Sequence, residues 1–370
     1  MPKEEALPLD TAERYSRQMR FGPIGSAGQT QLGASSVLIV GTGALGASLA
    51  QHMARAGVGV VRIADRDFVE PSNLQRQMLF DEEDARSAMP KAVAAAAKLQ
   101  RINSEITIDA HVADVTAHNV GGLLAGIDLV LDGTDNAASR LVLSDACFQR
   151  GIPLIYGGVT ASEGMSASLV PGSTACLRCL IGGGSDSEEG DAAADTCDTV
   201  GVISPAVEFV AALQAAEALK WLSGNRDAMR GTWVSADVWT FRVREAKLPA
   251  ARQSCPCCGT QRTAASAAAD RGGSAPFAAA AMCGRDSVQV TLGYAISMDR
   301  IKADLAQRGC QLTINPYLIR ALVPEGQRLV LFPDGRVIVQ GTPDVEEAVR
   351  LCQAYLARGA YASAGGEQRK

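Results

Sequence analysis

The stretch SSVLIVGTGALGASLAQHMARAGVGVVRIAD, residues 35–65, decides the fold. Its two apolar runs predict strands, and the glycine loop and apolar-periodic segment between them predict a turn and a helix. In such a unit, the glycines of Gly41-x-Gly43-x-x-Gly46 let the backbone approach phosphates at a helix N-terminus. Asp65, after the second strand, is placed to accept a ribose hydroxyl. The pattern predicts a nucleotide site but does not separate NAD from ATP.

The same alternation of strand and helix patterns continues to Gly158. The runs VLIV, VVRIA, ITIDAHV, DLVLDG and PLIYGGV predict strands, and helical segments lie between most of them. Nearly continuous apolar strands separated by helices are typical of a parallel sheet covered on both faces. We therefore expect a Rossmann-like, doubly wound α/β sheet that is mostly parallel. Before it, a capping-box pattern at Asp10 and Glu13 predicts one helix over TAERYSRQMRF, followed by a glycine-rich linker.

The pattern changes after Gly158. SPAVEFVAALQAAEALKWLSG predicts a buried helix, and TWVSADVWTFRVREA predicts antiparallel strands that extend the sheet. We expect residues 1–260 to form a nucleotide-binding domain and the Ala/Gly/Ser-rich residues 261–281 to form a flexible linker. Residues 282–370 then form a small α+β domain with a hairpin at FPDG and a capped amphipathic helix.

The bulk composition limits the partners. The 370 residues carry a formal net charge of −5 without a long Lys/Arg run. Nothing therefore attracts nucleic acid or a membrane surface electrostatically, and a small molecule or a protein is the expected partner. The sequence shows neither the apolar core of a secretion signal nor an apolar run of about 20 residues, so we expect a cytoplasmic protein.

A second polar set follows Asp65 closely. Asn73, Arg76 and Gln77 lie in EPSNLQRQ, and Lys91 lies in AMPKA. Cleavage of ATP between its α and β phosphates requires several donors to hold the triphosphate, whereas hydride transfer requires few. Taken singly, each residue reads as part of an exposed polar loop or helix surface. Together they favour ATP.

Two aspartates end the predicted strand LVLDGTDN. The carboxyl edge of an open α/β sheet is where ligands bind, and a carboxylate beside a triphosphate is placed to hold Mg²⁺. For Asp132, a strand-end hydrogen bond and a metal role are equally open. For Asp135, the polar turn favours function.

Four cysteines form two pairs, Cys176-x-x-Cys179 and Cys255-x-x-Cys258. Two such knuckles supply the thiolates of a tetrahedral, structural zinc site, and the alternative is unrelated buried cysteines. Cys257 offers a third thiol in the second run, so the sequence leaves open whether Cys257 or Cys258 ligates the ion.

A lone cysteine, Cys197, follows an acidic glycine-rich segment. A thiol on a polar loop near a nucleotide site is a candidate nucleophile. The flanking Asp195 and Asp198 would raise its pKa rather than lower it. A catalytic role and an ordinary thiol are both open.

Taken in order, RYSRQ, GTGALG, DRDFVEPSNLQRQ, PKA, DGTDN, the two cysteine pairs and TCDTVGVISPAV resemble the family of ThiF, MoeB and HesA proteins, bacterial relatives of ubiquitin-activating enzymes. The resemblance covers nearly the whole chain. The tail, with CGRDSVQV, NPYLIR and FPDGRVIVQGT, is similar to the extra domain of the longer, Gram-positive-type members.

The resemblance implies an activity. Such proteins use ATP and Mg²⁺ to adenylate the C-terminal glycine carboxylate of a small ubiquitin-like sulfur carrier (ThiS- or MoaD-like, ending in Gly-Gly), and they release pyrophosphate in thiamine or molybdopterin biosynthesis. Carried onto this chain, Asp65 binds the ribose. The triphosphate is surrounded by Asn73, Arg76, Gln77 and Lys91.

The resemblance also implies further roles and partners. Asp135 holds the magnesium ion. Arg17 reaches the phosphates of the neighbouring subunit, which implies a homodimer. Cys197 matches the family cysteine that, in some members, attacks the acyl-adenylate or takes part in persulfide transfer, and a cysteine desulfurase is a further expected partner.

Three other readings stay open. The glycine loop also suits an NAD-dependent oxidoreductase, although no hydride-site acid is evident. A relative that adenylates another substrate, such as a peptide C-terminus or a tRNA, is the second, and the acidic balance weighs against tRNA. A zinc-stapled scaffold without ATP turnover is the third.

Overall fold

Three helices precede the first strand. They are α1 (Thr11–Arg14), α2 (Ser16–Met19) and α3 (Gly25–Ala34). The structure is a computed structural model that describes residues 11–181, 200–259, 277–281 and 286–356. The predicted glycine-rich linker is wrong over residues 25–34, which are helical. A Cβ on Gly28 would lie 3.1 Å from the Cβ of Ser223. The glycine therefore serves close packing of the helix rather than flexibility.

The predicted alternation of strands and helices is confirmed between Ser36 and Thr160. The elements are β1 (Ser36–Val40), α4 (Ala44–Ala56), β2 (Val60–Asp65), α5 (Glu82–Arg86), α6 (Lys91–Ile102), β3 (Thr107–Val112), α7 (Val120–Leu123), β4 (Leu129–Asp132), α8 (Ala137–Arg150) and β5 (Leu154–Thr160). The strands lie in the order β3-β2-β1-β4-β5 and pair in parallel. Apolar clusters cover both faces, as the continuous apolar strands predict.

An antiparallel extension completes this sheet. It comprises β6 (Glu163–Leu169), α9 (Leu177–Leu180), α10 (Ser204–Leu222), β7 (Thr232–Asp237) and β8 (Arg242–Lys247). The strands β5-β6-β7-β8 pair antiparallel. Helix α10 begins with Pro205 in its first turn and buries one broad face, whereas Pro205, Ala212 and Ala216 on the opposite face are exposed. The fold class expected from the sequence, a mostly parallel α/β sheet with antiparallel strands added, is confirmed.

A second, antiparallel sheet forms the C-terminal unit. Its elements are β9 (Ala278–Ala281), β10 (Ser287–Thr291), α11 (Met298–Gln307), β11 (Gln311–Ile314), β12 (Ile319–Leu322), β13 (Arg328–Leu331), β14 (Arg336–Gln340) and α12 (Val345–Tyr355), with strand order β11-β12-β13-β14-β10-β9. Residues 278–281 were expected to belong to the linker, and for them the prediction is wrong. Four alanines carry no β-pattern, but their backbone pairs with β10. The remaining domain boundaries stay a prediction.

The register of the first sheet brings three loops to one edge. Val40, the last residue of β1, is opposite Ala64 on one side and Asp132 on the other. The chain therefore turns in opposite directions after β1, toward β2 and β3 or toward β4. Open α/β sheets bind ligands at such a switch point, beyond the carboxyl ends of the strands.

Among the helices of the described ranges, none has the length and apolar character required to cross a membrane.

Candidate functional site

Glycine is required for different structural reasons at the three positions of the loop. Gly41 has a φ of +80°, and a Cβ on it would lie 2.6 Å from the carbonyl oxygen of Gly133. A Cβ on Gly46 would lie 1.7 Å from the carbonyl oxygen of Gly41. At Gly43 the nearest atom would be Nε2 of Gln77, at an ordinary 3.7 Å. Gly41 and Gly46 therefore permit the turn itself, whereas Gly43 leaves open space in front of the loop, where phosphates approach in this kind of fold.

Asp65 ties the glycine loop to the loop after β2. Its Oδ2 accepts a hydrogen bond from the Thr42 amide at 2.6 Å, and its Oδ1 accepts one from the Asp67 amide at 2.7 Å. The side chain is buried, which raises the pKa of Asp65, and the nearby Lys91 acts in the opposite direction. Each carboxylate oxygen keeps further acceptor capacity, so the predicted ribose contact is compatible with this geometry.

Lys91 begins α6 as a buried cation at the site. Only 3% of its surface is exposed, and its Nζ lies 3.2 Å from Oδ2 of Asp67. A buried ammonium group requires a partner of opposite charge, and Asp67 is one. Asp67, which the sequence left without a role, therefore orients the lysine predicted to bind the triphosphate.

Asn73 ends a short 3-10 turn, Pro71–Asn73, and Arg76 and Gln77 follow this turn in the chain. Oδ1 of Asn73 accepts from the Glu70 amide at 3.0 Å, and its carbonyl accepts from the amides of Arg76 and Gln77. Asn73 thus shapes the loop through its own hydrogen bonds. Arg76 is half-buried, and Gln77 is buried while its Oε1 makes no hydrogen bond to any residue that the structure describes. Such an atom is suited to a ligand that donates a hydrogen bond.

Asp132 and Asp135, at the end of β4, differ in environment. Oδ1 of Asp132 accepts from the amide and the hydroxyl of Thr134, at 2.9 and 2.7 Å. Complete burial raises the pKa of Asp132, and Arg140 opposes that shift. Of its two open roles, the geometry therefore fits the strand-end hydrogen bond. Asp135 is exposed at the same edge, where a magnesium ion and phosphates have access.

Two polar side chains that the sequence analysis missed organise this edge. Arg140 donates from Nη2 to the carbonyl oxygens of Thr134 (2.7 Å) and Gly157 (3.0 Å). Gln214, on the buried helix α10, donates from Nε2 to the carbonyl oxygens of Asp132 and Ile155. The available signal for Gln214 was an amide within an apolar helix, and for Arg140 its place in the DGTDNAASR run.

Two predicted residues lie apart from this cluster. Arg17 is exposed on α2, where a second chain has access to it. Cys197, the candidate nucleophile, lies outside the described residues.

The two cysteine pairs meet beside α9. The Sγ atoms of Cys176 and Cys255 are 3.6 Å apart, and those of Cys179 and Cys258 are 3.5 Å apart. All four Sγ atoms lie within 4.8 Å of one another. Four thiolates at this spacing are the donor set of a tetrahedral zinc ion. Cys257 is buried and stands outside this set, so the geometry favours Cys258 as the ligand.

The fold and the site define a nucleotide-binding α/β protein with a polar phosphate-side loop and a four-thiol cluster. The sequence model of the ThiF family matches residues 15–257. The chain is 40% identical to the sulfur carrier protein ThiS adenylyltransferase of Bacillus subtilis, over 93% of this chain and 99% of that protein. The chain therefore belongs to the ThiF family, as the sequence resemblance indicated, and it is an adenylyltransferase.

Other comparisons agree with this placement. The SAMP-activating enzyme E1 of Haloferax volcanii is 36% identical over 68% of this chain and 92% of its own length. The adenylyltransferase and sulfurtransferase MOCS3 of Bos taurus is 35% identical over 71% of this chain and 56% of its own length. The structure of E. coli MccB with ATP superposes with a TM-score of 0.57 at 20% identity, covering 66% of this chain and 74% of that one. At this identity, the likeness to MccB shows the fold alone.

Proposed function

We propose that the protein uses ATP and Mg²⁺ to adenylate the C-terminal glycine carboxylate of a small ubiquitin-like sulfur carrier, with release of pyrophosphate. A ThiS-like carrier of thiamine biosynthesis is the first candidate and a MoaD-like carrier of molybdopterin biosynthesis the second. The observation that carries this proposal is the match to the Bacillus ThiS adenylyltransferase, which extends through both sheets. The match to MOCS3 covers only about two thirds of the chain.

The site residues support this chemistry. The carrier's carboxylate is already a nucleophile, so the reaction requires no general base, and the protein has to position the reactants and neutralise charge on the phosphates. Lys91 and Arg76 supply positive charge, and Asn73 and Gln77 supply amide groups. Asp65 would hold the ribose. Asp135 would hold magnesium, which offsets charge on the triphosphate.

In the reaction, a carboxylate oxygen of the carrier forms a bond to the α-phosphorus of ATP. The bond between the α-phosphorus and the oxygen that bridges the α and β phosphates breaks, and pyrophosphate leaves with that oxygen. Lys91 is fixed by Asp67 before any ligand arrives. A donor that is fixed in advance does not have to reorganise while charge develops. This arrangement, rather than acid–base catalysis, is the contribution that we assign to the protein.

Further parts of the proposal concern partners. The unit is a homodimer in which Arg17 reaches the phosphates of the neighbouring subunit, and the exposure of Arg17 on α2 supports this. Cys197 is the thiol that attacks the acyl-adenylate or takes part in persulfide transfer from a cysteine desulfurase. A zinc ion on Cys176, Cys179, Cys255 and Cys258 joins α9 to the segment after β8. The cytoplasm is the proposed location.

An exposed aromatic hairpin supports the presence of a protein partner. Trp239 and Phe241, between β7 and β8, are 79% and 85% exposed, and Val243 beside them is 57% exposed. Neighbouring exposed apolar side chains of this size mark interaction sites. We assign this surface, Trp239, Phe241 and Val243, to the folded body of the carrier.

A pyrophosphate-exchange assay tests the proposal. Purified protein with MgATP and labelled pyrophosphate should form labelled ATP only when a carrier ending in Gly-Gly is present. ThiS-like and MoaD-like carriers are compared with versions that lack the terminal glycine. If none of the carriers supports exchange, the proposed reaction is wrong. Stabilisation by NAD instead of MgATP in a thermal-shift assay would favour the oxidoreductase.

A further inference from the structure

The loop between β2 and α6 carries Asn73, Arg76 and Gln77 and is closed at its base. The amide of Val69 donates to the carbonyl of Met89 at 2.8 Å, and the amide of Lys91 donates to the carbonyl of Asp67 at 2.9 Å. Any displacement of this base moves Asp67 and Lys91, and any displacement of the 3-10 turn moves Asn73. The placement of the loop therefore decides the placement of the triphosphate residues.

The C-terminal sheet holds the base of this loop through apolar packing. Phe68 and Ala88, which flank the closure, form one buried cluster with four residues of the C-terminal unit, Leu318, Val330, Phe332 and Ile338. Phe68 is only 4% exposed. Burial of a phenylalanine side chain stabilises the packing of the loop against this unit.

An asparagine of the same unit holds the end of the loop. Nδ2 of Asn315 donates to the carbonyl oxygens of Ser87 (2.9 Å) and Ala88 (3.0 Å). Ala88 has a φ of +48°, in the left-handed region that alanine rarely adopts. The C-terminal unit therefore stabilises a backbone conformation that the loop would not favour alone.

A third contact reaches the 3-10 turn directly. Nε2 of Gln340, at the end of β14, donates to Oε1 of Glu70 at 2.8 Å. The Glu70 amide in turn donates to Oδ1 of Asn73, and the Asn73 carbonyl accepts from the amides of Arg76 and Gln77. A hydrogen-bonded path therefore joins the second sheet to the side chain of Asn73 and to the backbone of Arg76 and Gln77.

Glu70 also interacts electrostatically with Arg320 of the second sheet. Burial and the neighbouring Arg328 lower the pKa of Arg320, and Glu70 acts against this shift. Beside this contact the two units separate around a cleft of about 720 Å³, with Pro71 and Leu74 on one wall. The Gln340–Glu70 hydrogen bond thus joins the two units close to this cleft.

We infer that Gln340 is a positioning residue for the nucleotide site and that the C-terminal sheet is a structural part of that site. Gln340 acts through Glu70 and Asn73 on the loop and touches no substrate itself. The inference rests on the proposed function only in that the site binds MgATP.

A charge-swap experiment tests this inference without a carrier. Gln340→Glu places a carboxylate against Glu70, and like charges at this distance repel. We expect the Kd for MgATP, measured by titration calorimetry on the full chain, to rise about tenfold. Adding Glu70→Gln restores a hydrogen bond of reversed polarity and should return the Kd to within about twofold of the wild type.

Gln327→Glu is the matched control. Nε2 of Gln327 donates to Oε1 of Glu347 at 3.2 Å, so the substitution creates a like-charge clash wholly inside the C-terminal unit. We expect it to lower thermal stability and to leave the Kd for MgATP unchanged. An equal rise in Kd for Gln327→Glu, no rise for Gln340→Glu, or no recovery in the double variant would each overturn the inference.

Amide hydrogen exchange separates this inference from the proposed function. Gln340→Glu should speed exchange in peptides covering residues 69–89, and the double variant should slow it again. If the wild type does not bind MgATP, the proposed function fails even where this exchange pattern is seen. If MgATP binds but no carrier supports pyrophosphate exchange, the Kd series still decides the inference.

Discussion

Nε of Arg140 lies 3.4 Å from Oδ2 of Asp132, beneath the loop that carries Asp135. The Asp132 side chain is completely buried, and Arg140 also binds the carbonyl oxygens of Thr134 and Gly157. This pair stabilises the turn after β4. Asp132, although it is also an aspartate, thus has a structural role, and it helps to hold Asp135 at the sheet edge.

Arg140→Met should destabilise the protein strongly. The substitution leaves the Asp132 carboxylate buried without its cation, and breaking a buried pair in this way costs about 3–5 kcal/mol. Urea unfolding measures the free energy, and adding Asp132→Asn should recover part of it. Arg86→Met, which removes an exposed pair with Glu82 and Glu83, is the control and should cost about 0–1 kcal/mol. Equal costs for Arg140→Met and Arg86→Met would contradict the structural role.

Gly43→Ala should separate nucleotide binding from folding. A Cβ at this position meets only Nε2 of Gln77 at 3.7 Å, but the ψ of −142° at a φ of −72° lies outside the regions that alanine favours. We expect a modest loss of thermal stability from the backbone conformation. The Kd for MgATP should rise about tenfold or more, because the methyl group occupies the space in front of the loop. Gly46→Ala, with its Cβ 1.7 Å from a carbonyl oxygen, should instead lower stability by about 3 kcal/mol or more. Unchanged ATP affinity in Gly43→Ala would place the phosphates elsewhere.

Periodicity and turn chemistry were sufficient to predict the parallel sheet and the helices between its strands. They did not reveal α3, because the glycines of GSAGQTQLGA indicate flexibility and the close packing of Gly28 against Ser223 is not visible in the sequence. They also did not reveal β9, because a run of alanines has no strand pattern and pairs only through its backbone. Local patterns predict elements that bury their own apolar face, whereas these two depend on long-range neighbours.

The same limit applies to the site. The sequence supplied the glycines and Asp65 because each lies at a fixed offset from a strand or helix end. It supplied Lys91 only as one of several polar residues that together suit a triphosphate, and through the family resemblance. It did not assign Asp67 as the partner of Lys91, and it did not connect Gln340 with Glu70 across 270 positions. Pairings of that kind depend on how the two sheets pack, which a single sequence does not encode locally.

Arg76→Ala and Asp135→Ala should each abolish carrier-dependent pyrophosphate exchange. Arg76 is half-buried after the 3-10 turn, and Asp135 is exposed after β4. Loss of a cation or of a magnesium ligand is expected to lower the exchange rate by about 10²–10³-fold. Circular dichroism should show an intact fold. Arg101→Ala, on the exposed last turn of α6, is the control and should keep full activity. Retained exchange in both site variants would refute their assignment.

Cys258→Ser should release zinc, whereas Cys257→Ser should retain it. Only the first thiol lies in the set whose Sγ atoms are within 4.8 Å of one another. Metal analysis should find about one zinc ion per chain in the wild type and in Cys257→Ser. In Cys258→Ser the zinc content and the thermal stability should both fall, because the ion staples two segments that are distant in sequence. A loss of zinc in Cys257→Ser alone would exchange the two assignments.

Replacing Trp239 and Phe241 together by serine should weaken carrier binding selectively. Both side chains are exposed, so their removal leaves the core intact. We expect the KM for the carrier in pyrophosphate exchange to rise at least about tenfold, since aromatic anchors carry much of an interface's binding energy. The KM for ATP should not change. Ser substitution of Tyr317, an exposed aromatic of the C-terminal unit, is the control. If the double variant instead becomes monomeric in light scattering while its carrier KM stays normal, the hairpin belongs to the subunit interface and not to the carrier.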